Sequence, residues 1–349
     1  MARTGRPHAS HGLTLNGKAL FSAGCGNWAV RGRVLGGIIP MLSPDEILWR
    51  LRLRVLHPRS EWHNRRFPPS LRLNEEGPFT ILEYKGLSMR CLRGDACQGT
   101  RSGACNLLLS GPSVSTLADP MMLGELPLIG VNGSPELFAR VGLGVDYYIV
   151  DDLSFIENSL GRYLAYASLA GRVILNHGIA YELLRRGHVL ENAVLVDSIN
   201  APFRAPAPQR APAPVVFSRR FGEGLKSYGT VAYVALQAAF CLGFRDVRIF
   251  GMDLNSAPRF YPEASAAANH IDRDYEDLIL RPMEEVGGMV DRGEWNVVNC
   301  SPSSRLPDRV LRRCDPNEIL GCQTLPAAGR REPGEPQPVV IGAGALAVG

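Results

Sequence analysis

The stretch that most restricts the fold spans residues 226–255. It opens on a small polar turn, Ser227-Tyr228-Gly229-Thr230, and continues into Val231–Leu242, twelve residues whose one strongly polar member is Gln237. A helix apolar on every side is either a core helix or a membrane span. Twelve residues rise only about 18 Å, and a bilayer needs roughly 20 residues. The run is therefore a core helix. Gly243 ends it, and residues 246–250 read as a strand closed by Gly251-Met252-Asp253. Polar turn, buried helix, buried strand and terminal Asp are the means by which an α/β protein presents a ligand at its sheet edge.

Short apolar runs ending in small or acidic residues recur along the chain. Residues 106–110 are followed by Gly111-Pro112-Ser113. Residues 128–131 lead into Asn132-Gly133-Ser134-Pro135 and a helix over 136–141. Residues 146–150 end in Asp151-Asp152. Further strands are expected at 172–175, before a helix over 179–186, then at 193–197, and at 295–299 before Ser301-Pro302-Ser303. A shorter strand fits 79–84, and a helix fits 272–283, with Pro282 marking its end. Strands alternating with helices or loops imply an α/β fold with a mostly parallel, Rossmann-like sheet and flanking helices.

Four segments follow from composition. Residues 1–42 are Gly- and Arg-rich and unassigned. Residues 43–104 form a basic extension, 105–315 the main α/β domain, and 316–349 a Gly/Pro/Ala-rich tail expected to be disordered. The 201–214 segment, APFRAPAPQRAPAP, reads as an extended surface loop. In the extension, Ser43-Pro44-Asp45-Glu46 is a helix start. The helix that follows puts Ile47, Leu48, Leu51 and Val55 on one face. Arg50, Arg52, Arg54, Arg59, Arg65, Arg66 and Arg72 face a single acid, Glu61, over this region. Such a helix suits an anionic membrane surface, or else packs on the domain with its arginines solvated. The net charge of +4 gives no argument for nucleic acid. Eight cysteines without a C-x2-C pair give none for a zinc ribbon. With no apolar leader evident, a reduced cytoplasmic protein is expected, peripheral on the inner membrane if the basic helix binds it.

In an open parallel sheet, ligands bind beyond the carboxyl ends of the strands. Ser110, Gly111, Pro112, Ser113, Asn132, Gly133, Asp151 and Asp253 all fall there. Small residues let backbone N–H groups approach a phosphate, and Asn or Asp can fix a ribose or base. The G-x-G-x-x-G fingerprint does not follow the first strand and G-x4-G-K-[ST] is absent, which disfavours dehydrogenases and P-loop kinases. A nucleotide-linked transfer remains.

LLLSGPS at 107–113, IGVNGS at 129–134, DYYIVDD at 146–152, TVAYVALQAAFCLGF at 230–244, IFGMDL at 249–254 and RFYPE at 259–263 carry a resemblance. Over residues 105–305 the chain resembles bacterial lipopolysaccharide-core glycosyltransferases that add 3-deoxy-manno-octulosonic acid (Kdo). More distantly it is similar to bacterial CMP-sialic acid sialyltransferases. The resemblance implies a variant GT-A domain and a CMP-activated sugar donor. It places Gly111, Pro112 and Ser113 along the CMP site and Asn132 on the nucleotide. Asp151 stands where the sialyltransferases carry Asn, and Thr230 lies in the donor-holding turn beside Ser227. A lipopolysaccharide-core or other glycolipid acceptor follows.

A CMP-sugar releases a monophosphate, so neither a metal nor a cofactor is required in principle. Backbone N–H groups, Tyr228, Tyr261 and Arg259 can meet the departing charge. An acceptor hydroxyl then attacks with inversion while a base takes its proton. His270 is the expected base, with His177 in reserve, and Asp253 would orient a hydroxyl or cap a turn. Asp272-Arg273-Asp274 is discounted as a D-x-D metal motif, because it opens a helix. A sialyltransferase-like enzyme, a nucleotide diphosphotransferase and a non-catalytic nucleotide-sugar-binding assembly factor are the alternatives.

Overall fold

Seven strands are buried at most of their positions, which suits a parallel sheet covered on both faces. They are β4 (Ala104–Leu108), β5 (Leu128–Val131), β6 (Tyr147–Val150), β7 (Arg172–Asn176), β8 (Ala193–Val196), β11 (Asp246–Phe250) and β12 (Asn296–Asn299). The computed structural model describes residues 44–56, 70–200, 215–261 and 271–321. His270, the 201–214 segment and the expectations for residues 1–42 lie outside them.

The parallel strands run in the order β8-β7-β6-β5-β4-β11-β12. An antiparallel meander, β1 (Leu71–Glu76), β2 (Phe79–Tyr84) and β3 (Leu87–Arg93), extends the same sheet, because β3 pairs with β8 in parallel. The boundary expected at 104/105 therefore does not divide the sheet. The edge strand β1 is exposed at every position after Leu71 and carries Arg72, Glu75 and Glu76, charges that discourage further pairing.

Alternate residues of each strand serve opposite faces. Leu107, Ile129 and Ile149 pack with α5 (Val231–Leu242) and α7 (Arg281–Asp291). Leu108, Leu128 and Tyr148 pack with α3 (Leu153–Leu169) and α4 (His177–Arg185). The result is a three-layer α/β/α arrangement, as the alternating pattern predicts.

Helix α5 is the core helix expected at 231–242, buried at ten of its twelve positions. Its polar residue is fully used. Gln237 accepts from Ser218 N at 3.1 Å and Lys226 N at 3.0 Å, and donates to Lys226 O at 2.8 Å and Tyr233 O at 3.0 Å. Gly243 stops the helix in a left-handed conformation, φ 107°, close to Arg101 O just ahead of β4. The C-terminus of α5 thus lies at the amino edge of the sheet. Its N-terminus, capped by Thr230, is directed toward the carboxyl edge.

Helix α3 lies where the sequence pattern gives no assignment. Two expectations are corrected. The 272–283 helix does not stop at Pro282. Ile271–Asp274 (α6) passes through a π segment, Tyr275–Leu280, into α7, with Pro282 in the first turn of α7. The wide π turn accommodates the ring and the missing N–H, which would break a regular helix. Order also continues beyond Asp315 as α8 (Pro316–Gly321). Helix α1 (Pro44–Leu56) forms where expected and leaves Ile47, Leu48, Leu51 and Val55 exposed. Among the described residues no helix is long and apolar enough to cross a membrane.

Candidate functional site

The chain lays down β4 to β8 in one direction, then returns to add β11 and β12 on the other side of β4. That reversal puts the switch point of the sheet between β4 and β11, where an open α/β sheet parts its loops. The loops there are residues 110–113 and 251–255. They meet closely: Gly111 N donates to Gly251 O at 2.9 Å, and a Cβ on Gly111 would lie 2.0 Å from Asp253 Oδ2.

Asp253 is buried, 2 % exposed, and both its carboxylate oxygens accept hydrogen bonds from the protein. Oδ2 accepts from Ser113 N at 3.1 Å and Ser113 Oγ at 2.8 Å, and Oδ1 accepts from Ser303 Oγ. Its carbonyl accepts from Arg305 N at 2.8 Å. Asp253 thus braces the loops after β4, β11 and β12. Of the two roles expected for Asp253, orienting a hydroxyl or capping a turn, these bonds are of the second kind.

Beside the switch point, the β5 loop is held in an unusual shape. Asn132 has φ 47°, a left-handed value. Its carbonyl accepts from Tyr148 OH at 2.8 Å, and burial keeps that hydroxyl's pKa well above its ordinary value, so it remains a neutral donor. Ser134 Oγ closes the turn by accepting from Val131 N and donating to Leu108 O, each at 2.8 Å. Asn132 Oδ1 is buried and has no hydrogen-bond partner among the described residues.

Tyr261 covers this loop. Its ring occupies the space a side chain at Gly133 would need, with Cζ 2.2 Å from a built Cβ. Arg259 Nη1 donates to Ser110 Oγ at 2.8 Å and to Tyr261 OH at 3.3 Å. The guanidinium and two hydroxyls therefore form one cluster linking the β4 loop to the 259–261 segment. Tyr261 is 4 % exposed, so its ring serves as packing against the loop.

Further along the same edge, Asp151 Oδ1 accepts from Asn176 Nδ2 at 3.0 Å, and Asn176 Oδ1 caps α4 through Ile179 N. His177, the first residue of α4, lies 3.1 Å through Nδ1 from Asp197 Oδ1, just past β8. Lys226 is near Asp197, and burial lowers its pKa despite the opposing effects of Glu223 and Asp197. Asn176, Asp197, Ser134 and Tyr148 were missed as site residues. For the first two, a signal existed: polar residues immediately after apolar strands, as at the other strand ends.

Thr230 accepts from Ala232 N at 3.2 Å and is half-buried. Ser227 ends β10 (Leu225–Ser227), which pairs with β9 (Ser198–Asn200). The Tyr228 hydroxyl accepts from Val216 N at 3.1 Å, and its ring meets Tyr233 edge-on at 5.3 Å. Pro112 opens the turn of a 3-10 helix after Gly111. Asp272 pairs with Arg305 at 3.2 Å and with Ser256, while Asp274 pairs with Arg273 at 2.7 Å. Among the described residues, no three His, Cys, Asp or Glu side chains gather as a metal site.

No family model matches this chain, and no curated protein does. Among solved structures, it is similar to the MAf glycosyltransferase from Magnetospirillum magneticum AMB-1, at 17% identity and a TM-score of 0.37. That likeness covers 63% of this chain and 34% of the other, so the chain spans about a third of that enzyme's length. It is also similar to the sialyltransferase CST-II in complex with a trisaccharide acceptor and CMP, at 8% identity and a TM-score of 0.34. Here 62% of this chain and 88% of the other are covered. Both are distant structural likenesses to glycosyltransferases.

Proposed function

We propose that this chain is an inverting glycosyltransferase that moves a sugar acid, Kdo in the first instance, from CMP to a lipopolysaccharide-core acceptor. Asn132 carries the reading. Asparagine tolerates a left-handed backbone better than most non-glycine residues, but a buried unpartnered carbonyl oxygen costs about 1–3 kcal/mol. Both occur in one residue, at a strand end beside the switch point, where the neighbouring Ser134 and Tyr148 are well bonded. Packing does not require that combination, whereas a ligand that turns the carboxamide outward would relieve the orphaned oxygen. The motif resemblance supports the nucleotide of a CMP-sugar as that ligand.

In this reading Arg259, steadied by Ser110, meets the charge on the departing phosphate. The N-terminus of α5 adds a favourable dipole on the same edge. Asp253 keeps the three loops in register and touches no substrate. The acceptor hydroxyl attacks the anomeric carbon, the carbon–phosphate oxygen bond breaks, and CMP leaves.

The base is His177. Asp197 Oδ1 lies 3.1 Å from its Nδ1, where a carboxylate can hold the ring's orientation. His270, the base expected from sequence, lies outside the described residues.

Calorimetric titration with CMP, UMP and GDP tests the donor. CMP is expected to bind at least tenfold tighter than the other two, and Asn132→Ala to weaken CMP by about 1–2 kcal/mol. Equal affinity for the three nucleotides would sink the reading.

A further inference from the structure

We propose that Cys300 and Cys314 are a reactive thiol pair, a site of thiol–disulfide exchange with a low-molecular-weight disulfide. Their Sγ atoms lie 2.9 Å apart, within hydrogen-bonding distance. The backbone sets this up. Residues 312–314 add to the free edge of β12 in parallel: Asn299 N donates to Arg312 O at 3.0 Å and Cys314 N to Asn299 O at 3.1 Å. Neighbouring strands lie about 4.8 Å apart, inside the Cα separation of about 4.4–6.8 Å that a disulfide bridges. Closure therefore needs little backbone movement.

The two thiols differ in the way exchange requires. Cys314 is half-buried, whereas Cys300 is 2 % exposed. The Cys300 thiol is hydrogen-bonded to Cys314, and that bond, helped by the charges of Arg312 and Arg248, lowers the Cys314 pKa against the opposing effect of burial. The same bond, with burial, raises that of Cys300. Arg248 Nη1 is itself buried with no hydrogen-bond partner among the described residues, so an unspent donor is available near the pair. A more exposed thiolate next to a protected thiol is the arrangement of an attacking and a resolving cysteine.

The steps balance. The Cys314 thiolate attacks one sulfur of glutathione disulfide, forming a protein–glutathione disulfide and releasing one glutathione thiolate. Cys300 gives its proton to solvent or to that thiolate and attacks the Cys314 sulfur, expelling the second glutathione. Two protein thiols lose two electrons, and the small disulfide gains them.

The bond would close a loop holding Ser303 and Arg305, which brace Asp253. The chemistry does not depend on the donor reading.

The full chain is incubated with glutathione disulfide, alkylated and mapped by mass spectrometry. The expected product is a Cys300–Cys314 cross-link with the loss of two hydrogens, reversed by dithiothreitol. Cys300→Ser is expected to stop at a glutathione adduct on Cys314, and Cys314→Ser to leave Cys300 unmodified. Retention of both thiols in the parent chain overturns the proposal, as does a cross-link that maps to any other pair.

Discussion

Asp253→Ala is expected to lower the unfolding free energy by about 2–4 kcal/mol. The carboxylate gathers Ser113 N, Ser113 Oγ and Ser303 Oγ from segments 140 and 50 residues away. Alanine leaves a buried backbone N–H without its acceptor and opens a void against Gly111. The two serine hydroxyls can turn to other acceptors, which keeps the loss below the sum of three broken bonds. Asp253→Asn preserves the shape but sets an NH2 group against one of the donors, so about half the loss is expected. Urea unfolding reads both. A stability change under about 0.5 kcal/mol for the alanine variant would remove the brace. The pair also separates bracing from chemistry. If Asp253 touched the reacting sugar, Asp253→Asn would abolish turnover while leaving stability near the parent value.

The other large effect concerns rate. His177→Ala is expected to reduce the turnover of CMP-Kdo with a truncated lipid acceptor by about 10²–10⁴-fold, the usual contribution of a general base. CMP affinity should remain within about twofold, because a general base acts on the acceptor hydroxyl and not on the nucleotide. Asp197→Asn should fall between the two: the imidazole stays but loses the carboxylate that holds its orientation. Full activity in His177→Ala would exclude it as the base and return attention to His270. A loss of turnover matched by a loss of CMP binding would mean the histidine supports the fold and not the proton transfer.

The parts of the fold legible in the sequence were those set by local pattern. Helix α5 and β11 were readable because an unbroken apolar run must be buried, and Gly243 ends it with a left-handed turn. Strands β2 and β5 fell at their expected residues because alternation or continuous apolarity is bounded there by turn residues. Helix α3 was hidden by its own irregularity. It contains Asn158 and Gly161 and departs from helical geometry at Ser159, φ −142° and ψ 35°, so no single helical period runs through it. The continuation past Pro282 was hidden for the opposite reason: a strong local stop signal was overridden by the π segment before it.

The site divides in the same way. Its strand-end residues could be placed because each follows a recognisable apolar strand. Their roles could not, because partners come from distant segments. That Asp253 is saturated depends on Ser113 and Ser303, and that Tyr261 lies over Gly133 depends on a contact 128 residues apart in sequence, from 133 to 261. His177 looked like a reserve histidine until β8 brought Asp197 beside it.

The reversal of strand order has a kinetic consequence. Strands β4 to β8 are laid down consecutively and can pair as the chain collapses. The β4–β11 seam, in contrast, joins Ala104 to Asp246 and closes a loop of well over a hundred residues. Such contacts form late, because the chain loses entropy before they stabilise it. The Asp253 brace and the loops beside Asn132 are therefore assembled after most of the sheet exists. On dilution from urea, far-UV circular dichroism should recover in an earlier phase than CMP binding. Simultaneous recovery would show that the seam closes with the sheet. The edge proposed to bind the donor is then the last part of the molecule to mature, and a partly folded chain would carry its scaffold before that edge.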